Sequence, residues 1–447
     1  MSAIAGIAKS HQSKTVKEML SSIKYRGDEG SDIYFDDQVT EMISWTKFQE
    51  EDGRLMTEDR VVRDYATESH YAMAYPLASS FFLKRDPIGV APLYYGRTQE
   101  GDLCFASEVK ALLPLTHMIH ELPPGSFYDG GEVHSYFSLE EKEPLQDPPE
   151  ILAVQLKGLL ISALKQSIKG NEVGSWLSGG LDSSALAALA RPLVSTLHTF
   201  SVGYADSEDV KASRQVAEWL NTNHHEKIVA CEDLIAVLPK VIYHLESFDA
   251  LLVRSTLMNY LVAGMASEFV GDVLSGEGGD ELFGGYDYLK SLQLHDLPKE
   301  LIDITRRLHN TALQRVDRSA SAHGLVAHVC FLNRAVVDFA MRIPPQYKIH
   351  DGVEKWILRL AVKGLLPENI LRRKKAKFWN GSGVNDDLAR YANSTISDHD
   401  FERGRRLPNG WLLNSKEEFL YYRIFQEQFG QFENLAWMGR TKGAPVQ

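Results

Sequence analysis

The run Val173-Gly174-Ser175-Trp176-Leu177-Ser178-Gly179-Gly180-Leu181-Asp182-Ser183-Ser184 constrains this chain more than any other stretch. It begins as a short apolar strand and turns through two glycines. It continues into Ala185-Leu186-Ala187-Ala188-Leu189-Ala190, which reads as a helix. A strand, a glycine turn and a helix start aim backbone N–H groups at an anion, and the helix dipole favours negative charge there. Gly179 and Gly180 let the backbone approach closely, and Ser178, Ser183 and Ser184 add hydroxyls. Asp182 repels a bare phosphate, so its presence predicts Mg2+ between the two. The alternative is an ordinary glycine turn with Ser and Asp capping a helix. The intact SGGLDSS at 178–184 favours the phosphate site.

Length and charge narrow the setting. A chain of 447 residues predicts two or three domains. A net charge of −12 argues against a duplex nucleic-acid binder, which needs a basic face. Basic residues cluster only locally, at Arg372-Arg373-Lys374-Lys375-Ala376-Lys377. Cys104, Cys231 and Cys330 are far apart and lack metal-ligand spacing, so a reducing cytoplasm and buried thiols are expected. No apolar run reaches membrane-spanning length, and Met1-Ser2-Ala3-Ile4-Ala5-Gly6-Ile7 is too short and uncharged for a signal peptide.

Residues 1–137 read mostly as β, in short runs at Ala3–Ile7, Ala72–Leu83, Leu93–Tyr95, Leu103–Ala106 and Gly125–Tyr128. An antiparallel, layered domain follows from them. Residues 138–150 are charged and proline-rich and read as a linker. From Ile151 to residue 447 a second domain begins with a helical period at Leu152, Leu156, Leu159, Leu160 and Leu164. Strand-like runs at 173–177, 198–203, 226–230 and 271–275 then alternate with helical ones, which predicts a doubly wound parallel sheet. Beyond about residue 290 the pattern is mostly helical.

Ligands of such sheets bind at the carboxyl ends of the strands. Three ends carry chemistry here. The first is the opening motif. The second is His198-Thr199-Phe200-Ser201-Val202-Gly203, which either offers backbone to an adenine or is a plain core strand. The third is Ser275-Gly276-Glu277-Gly278-Gly279-Asp280-Glu281-Leu282-Phe283-Gly284-Gly285-Tyr286. Its interleaved glycines and acids suit a backbone close to a ligand. Asp280 is a candidate second Mg2+ ligand, and Glu277 a candidate base beside a reacting carbonyl.

With both motifs in view, the chain resembles the asparagine synthetase family over almost its whole length. SGGLDSS belongs to the pyrophosphate loop of the wider ATP-pyrophosphatase group. HTFSVGY at 198–204, ESFD with Arg254-Ser255-Thr256 at 246–256 and SGEGGDELFGGY at 275–286 narrow the resemblance. So do DRSASAHGL at 317–325, Glu354-Lys355-Trp356-Ile357-Leu358-Arg359, KKAKF at 374–378 and KEEFLYYRIFQ at 416–426. The resemblance implies an N-terminal Ntn-hydrolase-like β-sandwich and a C-terminal ATP-pyrophosphatase domain. It implies that ATP adenylates a carboxylate, and that an amine then gives an amide, AMP and pyrophosphate. Ser178, Gly179, Gly180, Asp182, Ser183 and Ser184 would hold pyrophosphate and Mg2+. Leu177, Val202, Ser275 and Gly276 would line the nucleotide. Glu277 would take the amine's proton, and Lys375 would neutralise developing charge. Asp249, Arg254, His328 and Gly381 are candidate substrate contacts. The partners are then a small carboxylate and an amine, with no membrane and no nucleic acid, and a homodimer is compatible. β-Lactam-forming relatives carry tyrosine where this chain has Glu277, which favours an external amine over ring closure.

Two departures from the family pattern bear on function. The family's nucleophilic cysteine at position 2 is Ser2 here, and only Arg26-Gly27-Asp28 remains of its Arg-Gly-Pro-Asp. Residues 33–71 are too short for the segments that form the glutamine pocket, so residues 1–137 are expected to be a remnant without glutaminase activity. Beside the acceptor pocket, Leu-Glu-x-Arg-x-Pro-Phe-Leu-Asp is replaced by Leu325-Val326-Ala327-His328-Val329-Cys330-Phe331-Leu332-Asn333. A Glu and an Arg lost together leave no orphaned charge if they were a pair. The change also admits an acceptor other than plain aspartate.

Overall fold

The computed structural model describes residues 2–27, 30–35, 37–45, 62–67, 69–77, 79–374 and 384–441. Within them the N-terminal part is a pair of antiparallel sheets. Its strands are β1 (Ala3–Ile7), β2 (Gly30–Phe35), β3 (Thr40–Trp45), β4 (Val62–Thr67), β5 (His70–Pro76) and β6 (Phe81–Arg85), then β7 (Tyr94–Arg97), β8 (Leu103–Ala106), β9 (Ile119–Glu121), β10 (Ser126–Tyr128) and β11 (Val133–Ser135). One sheet runs β2-β3-β1-β8-β7-β9 and the other β11-β10-β6-β5-β4. Alternation places the core between them. Ala72, Ala74, Phe81 and Leu83 of one sheet are buried with Ile4, Leu103 and Phe105 of the other. The run expected as one strand over Ala72–Leu83 is two, because a turn from Leu77 to Ser80 breaks it.

Residues 138–150 are largely exposed yet tied down. Leu139 is buried, and the Leu145 N–H donates to the Arg342 carbonyl at 2.8 Å. α1 (Ser13–Ser21) belongs to the N-terminal part, and α2 (Pro149–Ser167) opens the second. α2 starts two residues before Ile151, since proline fits a first helical turn that needs no N–H partner.

The C-terminal part is built on parallel strands. In chain order come β12 (Glu172–Trp176), α3 (Leu181–Ala190), β13 (Thr196–Gly203), α4 (Glu208–Leu220), β14 (Asn223–Ile228), α5 (Cys231–Leu245) and α6 (Ala250–Ala266). Then follow β15 (Asp272–Leu274), α7 (Gly279–Phe283), α8 (Leu297–Arg306), α9 (Ala312–Ser321) and β16 (Val326–His328). The sheet order is β14-β13-β12-β15-β16, with every pair parallel. The chain moves outward from β12 to β14, then returns to place β15 on the other side of β12. At that reversal the loops leaving neighbouring carboxyl ends part and open a crevice. Both glycine-rich motifs leave the sheet there, one after β12 and one after β15. β16 falls where a helical pattern was expected, because a three-residue edge strand is too short to show a period. Among the described residues no helix is long and apolar enough to cross a membrane.

Candidate active site

The crevice holds a cavity of about 810 Å3. Its first wall is the loop after β12. The Leu177 N–H donates to the Phe200 carbonyl at 2.8 Å, which seats the loop beside β13. Gly179 has φ +69°, and a Cβ there would lie 2.5 Å from the Ala212 Cβ, so only glycine fits. The Ser178 N–H donates to Ser183 Oγ at 3.2 Å, and the two hydroxyls lie 3.1 Å apart. The first turn of α3 therefore opens on the cavity with N–H donors and hydroxyls together. Leu177, Ser178, Gly180, Asp182 and Ser183 line it, as expected. Gly179 itself is turned toward α4 and shapes the loop from behind. Ser184 is a correction. It is fully buried in α3, where all ten residues are buried, and it lies off the cavity wall.

The second wall is the loop after β15, where Ser275, Gly276, Glu277, Asp280 and Glu281 line the cavity. A Cβ on Gly279 would sit 2.5 Å from Asp182 Oδ1, so this glycine is what lets the two loops close on each other. Asp182 and Asp280 are thereby brought together. Lys355 Nζ lies 2.5 Å from Asp182 Oδ2 and 2.5 Å from Asp280 Oδ1. Lys355 is 2% exposed and has φ 54°, an uncommon conformation for a side chain with a Cβ. Two hard carboxylate oxygens converging on one point suit Mg2+, which takes one or two protein carboxylates and completes its shell with phosphate and water.

Glu277 lies on the same wall but is not alone. It makes a close ion pair with Arg315 of α9, which also lines the cavity. Neighbouring Glu281 is buried against Asp280. Burial first, and then the Asp280 charge, push its carboxyl up to about 7, and the Tyr286 hydroxyl donates to it. Val202 and Phe200 from the end of β13 and Leu252, Ser255 and Asn259 of α6 also line the cavity.

Three of the expected substrate contacts are elsewhere. The Arg254 guanidinium is taken by Glu417, which also accepts from the Tyr421 hydroxyl at 2.8 Å. Asp249 caps α6 through the Leu252 N–H at 3.0 Å and accepts from the Thr441 N–H at 3.0 Å and its hydroxyl at 2.7 Å. Both brace α6 against the C-terminal segment. His328 is a packed histidine on edge strand β16. It is 1% exposed, with Nε2 2.7 Å from Asp272 Oδ1, and it lies off the cavity wall. Lys375 and Gly381 lie outside the described residues, though Arg373 and Lys374, just before them, line the cavity.

The asparagine synthase family matches residues 155–303 and 295–441 of this chain, and the glutamine amidotransferase domain matches residues 68–140. The glutamine-hydrolysing asparagine synthetase B of Escherichia coli is 35% identical over 380 residues, covering 78% of this chain and 68% of the relative. A glutamine-hydrolysing asparagine synthetase of Arabidopsis thaliana is 35% identical over 376 residues, covering 78% of this chain and 65% of the relative. This chain belongs to the asparagine synthase family. It spans about two thirds of the length of those relatives and is, by family, an asparagine synthetase-like carbon–nitrogen ligase.

The amidotransferase side of this family member looks different from the ligase side. Ser2 is 2% exposed, and its carbonyl accepts from Arg26 Nε at 3.1 Å. The rest of the Arg26 guanidinium crosses to the other domain, donating to both oxygens of Asp317 at 2.8 and 3.1 Å and to Ser321 Oγ at 3.2 Å. It also donates to Glu108 at 3.0 Å. The arginine left from the family's Arg-Gly-Pro-Asp is a clamp between domains here. Part of the stretch 33–71, residues 46–61, lies outside the described residues.

Sequence reasoning missed Lys355 and Arg315. Lys355 stands in the Glu354–Arg359 run, which carried the resemblance without suggesting a role. Arg315 stands two residues before DRSASAHGL. Both are basic residues in the helical half that end up beside acids on the cavity wall, Lys355 buried and Arg315 partly so, and nothing local in the sequence announces such a partner.

Proposed function

We propose that this protein adenylates a small carboxylate with ATP and Mg2+, then passes the acyl group to ammonia or another free amine drawn from solution rather than from glutamine. The observation that carries the reading is the meeting of the two glycine-rich loops in one cavity, with Asp182 and Asp280 converging on a single point. Family membership supports the use of ATP. Aspartate with ammonia is the default pair, and a specialised carboxylate with a different amine is the runner-up, because the segment around His328 departs from the family pattern.

In this reading the α3 N-terminus, Ser178 and Ser183 bind the pyrophosphate part of ATP, and Asp182 and Asp280 would hold Mg2+, which would supply charge neutralisation at the phosphates. Lys355, between the two aspartates, would stand beside the bound phosphates and add positive charge there. A carboxylate oxygen of the acceptor attacks the α-phosphorus, and the bond to the β-phosphate breaks. The amine nitrogen then attacks the acyl carbon, its proton passes to Glu277, and AMP leaves. Arg315 fixes the Glu277 carboxylate in place through their ion pair until the amine arrives. Glu277, in place of a tyrosine, supports an external amine over ring closure.

Isotope exchange between ATP and pyrophosphate, run with aspartate and a panel of other carboxylates, tests the adenylation step and identifies the acceptor. Exchange is expected only when the right carboxylate is present. Its absence with every carboxylate, in folded protein that binds ATP, overturns the proposal.

A further inference from the structure

A second cavity, of about 340 Å3, lies apart from the first. The 138–150 strap covers it with residues 141–144. The first turns of α8 make a second side through Leu297 and Leu301, and Ile343 and Lys348 make a third. Lys348 is 3% exposed, and no hydrogen bond or ion pair reaches its amine from the described residues. Burial alone pushes that amine down to about 7, with no neighbouring carboxylate to offset it. An amine that meets only the cavity is free to take a counter-ion there.

The surroundings say which counter-ion fits. α8 presents Leu297 and Pro298 of its first turn to the same space, so the Lys348 amine is the cation that an anion would meet there. Leu297, Leu301, Ile302, Met341 and Ile343 give the walls an apolar side, shared with polar surface. Lys142, at the mouth, is already paired with Asp338 at 2.9 Å, and Glu141 and Glu143 are exposed beside it. Two acids at the mouth repel a second negative charge on a ligand. One deep cation, an apolar side and an acidic mouth select one carboxylate on an apolar body.

The geometry points to a second small-molecule site, separate from the synthetase cavity, that binds a small apolar monocarboxylate with its carboxylate on Lys348 and its body against Leu297, Leu301 and Ile343. Nothing in the adenylation reading requires this site, and its occupant need not be a substrate.

The test is calorimetric titration of the full chain with 4-methylpentanoate as the probe. Saturable binding with a Kd of about 1 mM or tighter is expected, the range that one ion pair and a short apolar contact reach. The matching alcohol, 4-methylpentan-1-ol, and the dicarboxylate 3-methylglutarate are expected to bind at least about tenfold more weakly, one factor of ten being about 1.4 kcal/mol. Lys348→Met, which replaces a buried amine with an apolar chain of similar length, is expected to lose the acid by a similar factor. Equal binding of acid and alcohol, or binding untouched by Lys348→Met, overturns the proposal, as does no binding at all. Should Lys348→Met fail to fold, the titrations of the native protein decide: the acid is expected to bind at least about tenfold more tightly than the alcohol and the dicarboxylate, and equal binding of the three overturns the site.

Discussion

Two clusters of buried charge sit in this molecule, and they differ in what surrounds them. At the domain interface Arg26, Lys110 and Arg318 meet Glu108, Glu246 and Asp317, and each is at most 5% exposed. Contacts such as Arg26 to Asp317 at 2.8 Å, Arg318 to Glu246 at 3.1 Å and Lys110 to Glu246 at 3.0 Å close every side. In the synthetase cavity Asp182, Asp280 and Glu277 meet Lys355 and Arg315, but these face about 810 Å3 of open space. The chemistry of the two sets is alike. A pair with no room around it can only be broken, at the cost of a stranded charge. A pair on a cavity wall can exchange its partner for a phosphate, a metal or an amine. Access therefore separates a clamp from a site.

The largest expected effect lies on the open side. Asp182→Asn removes one of the two charges that converge on Lys355, and with it a ligand for the metal. Carboxylate-dependent pyrophosphate exchange is expected to fall by ~1,000-fold or more, since a metal at a phosphoryl centre supplies several kcal/mol and each 1.36 kcal/mol is tenfold. Exchange at the native rate in a folded variant would erase the contrast, because the open cluster would then be structural too.

Glu277→Gln separates the two half-reactions. Its carboxylate faces the cavity and is held by Arg315. A positioned base contributes roughly 100- to 10,000-fold to proton transfer. Net amide formation should drop within that range, while pyrophosphate exchange stays substantial. If exchange and amide formation fall together, Glu277 serves binding rather than proton transfer. If neither falls, the nucleophile is tethered to its substrate and ring closure becomes the better reading.

The closed side should respond in stability instead. Arg26→Met leaves Glu108 and Asp317 without one cation in a fully buried place, and about 3–5 kcal/mol of stability is expected to go. Exchange per folded molecule should change little. Acid gives an independent check. Burial by itself would raise the Glu108 carboxyl, but Arg318, Lys110 and Arg26 hold it well below the usual carboxylate range. A folded-state value below the unfolded one gives stability that is present above the unfolded value, near pH 4.5, and is lost as pH falls from there toward the folded value. Urea melts of the native protein should therefore show stability falling as pH drops below about 4.5. A native stability that stays constant to pH 3 would mean that charge does not explain the clamp.

Legibility in the sequence followed the same line. Gly179, Gly180, Asp182, Gly276, Glu277 and Asp280 were readable because close backbone approach leaves a local signature of glycine beside acid. Four parallel strands were readable because each is followed by a helix-length pattern. β16 was not, since three residues carry no period. Lys355 and Arg315 were not, since a lysine or arginine in a helical stretch acquires meaning only from partners far away in sequence, Asp182 for one and Glu277 for the other. Arg254, Asp249 and His328 failed in the opposite sense. They look like site residues by type and motif, yet Glu417, Thr441 and Asp272 occupy them. The shift of Arg26 from its family setting to an interdomain clamp shows only when Asp317 is brought across from the other domain.

The smallest expected effect is none at all, and it tests the comparison from the closed side. Ser2 is 2% exposed, its carbonyl is taken by Arg26, and the Ile4 N–H beside it is held by Ser107 Oγ at 3.0 Å. A glutamine amide would have to reach a residue buried beside the Arg26 guanidinium. The hydroxyl is also a far weaker nucleophile than a thiol unless a base activates it. Ser2→Ala, which removes one oxygen at a cost of roughly 1 kcal/mol, should therefore leave ammonia-driven amide formation unchanged. The native protein should release no glutamate from glutamine above the rate of a heat-denatured control, with or without ATP and acceptor. Glutamate release by the native protein that disappears in Ser2→Ala would make the closed cluster a gate rather than a clamp, and glutamine would return as the nitrogen source.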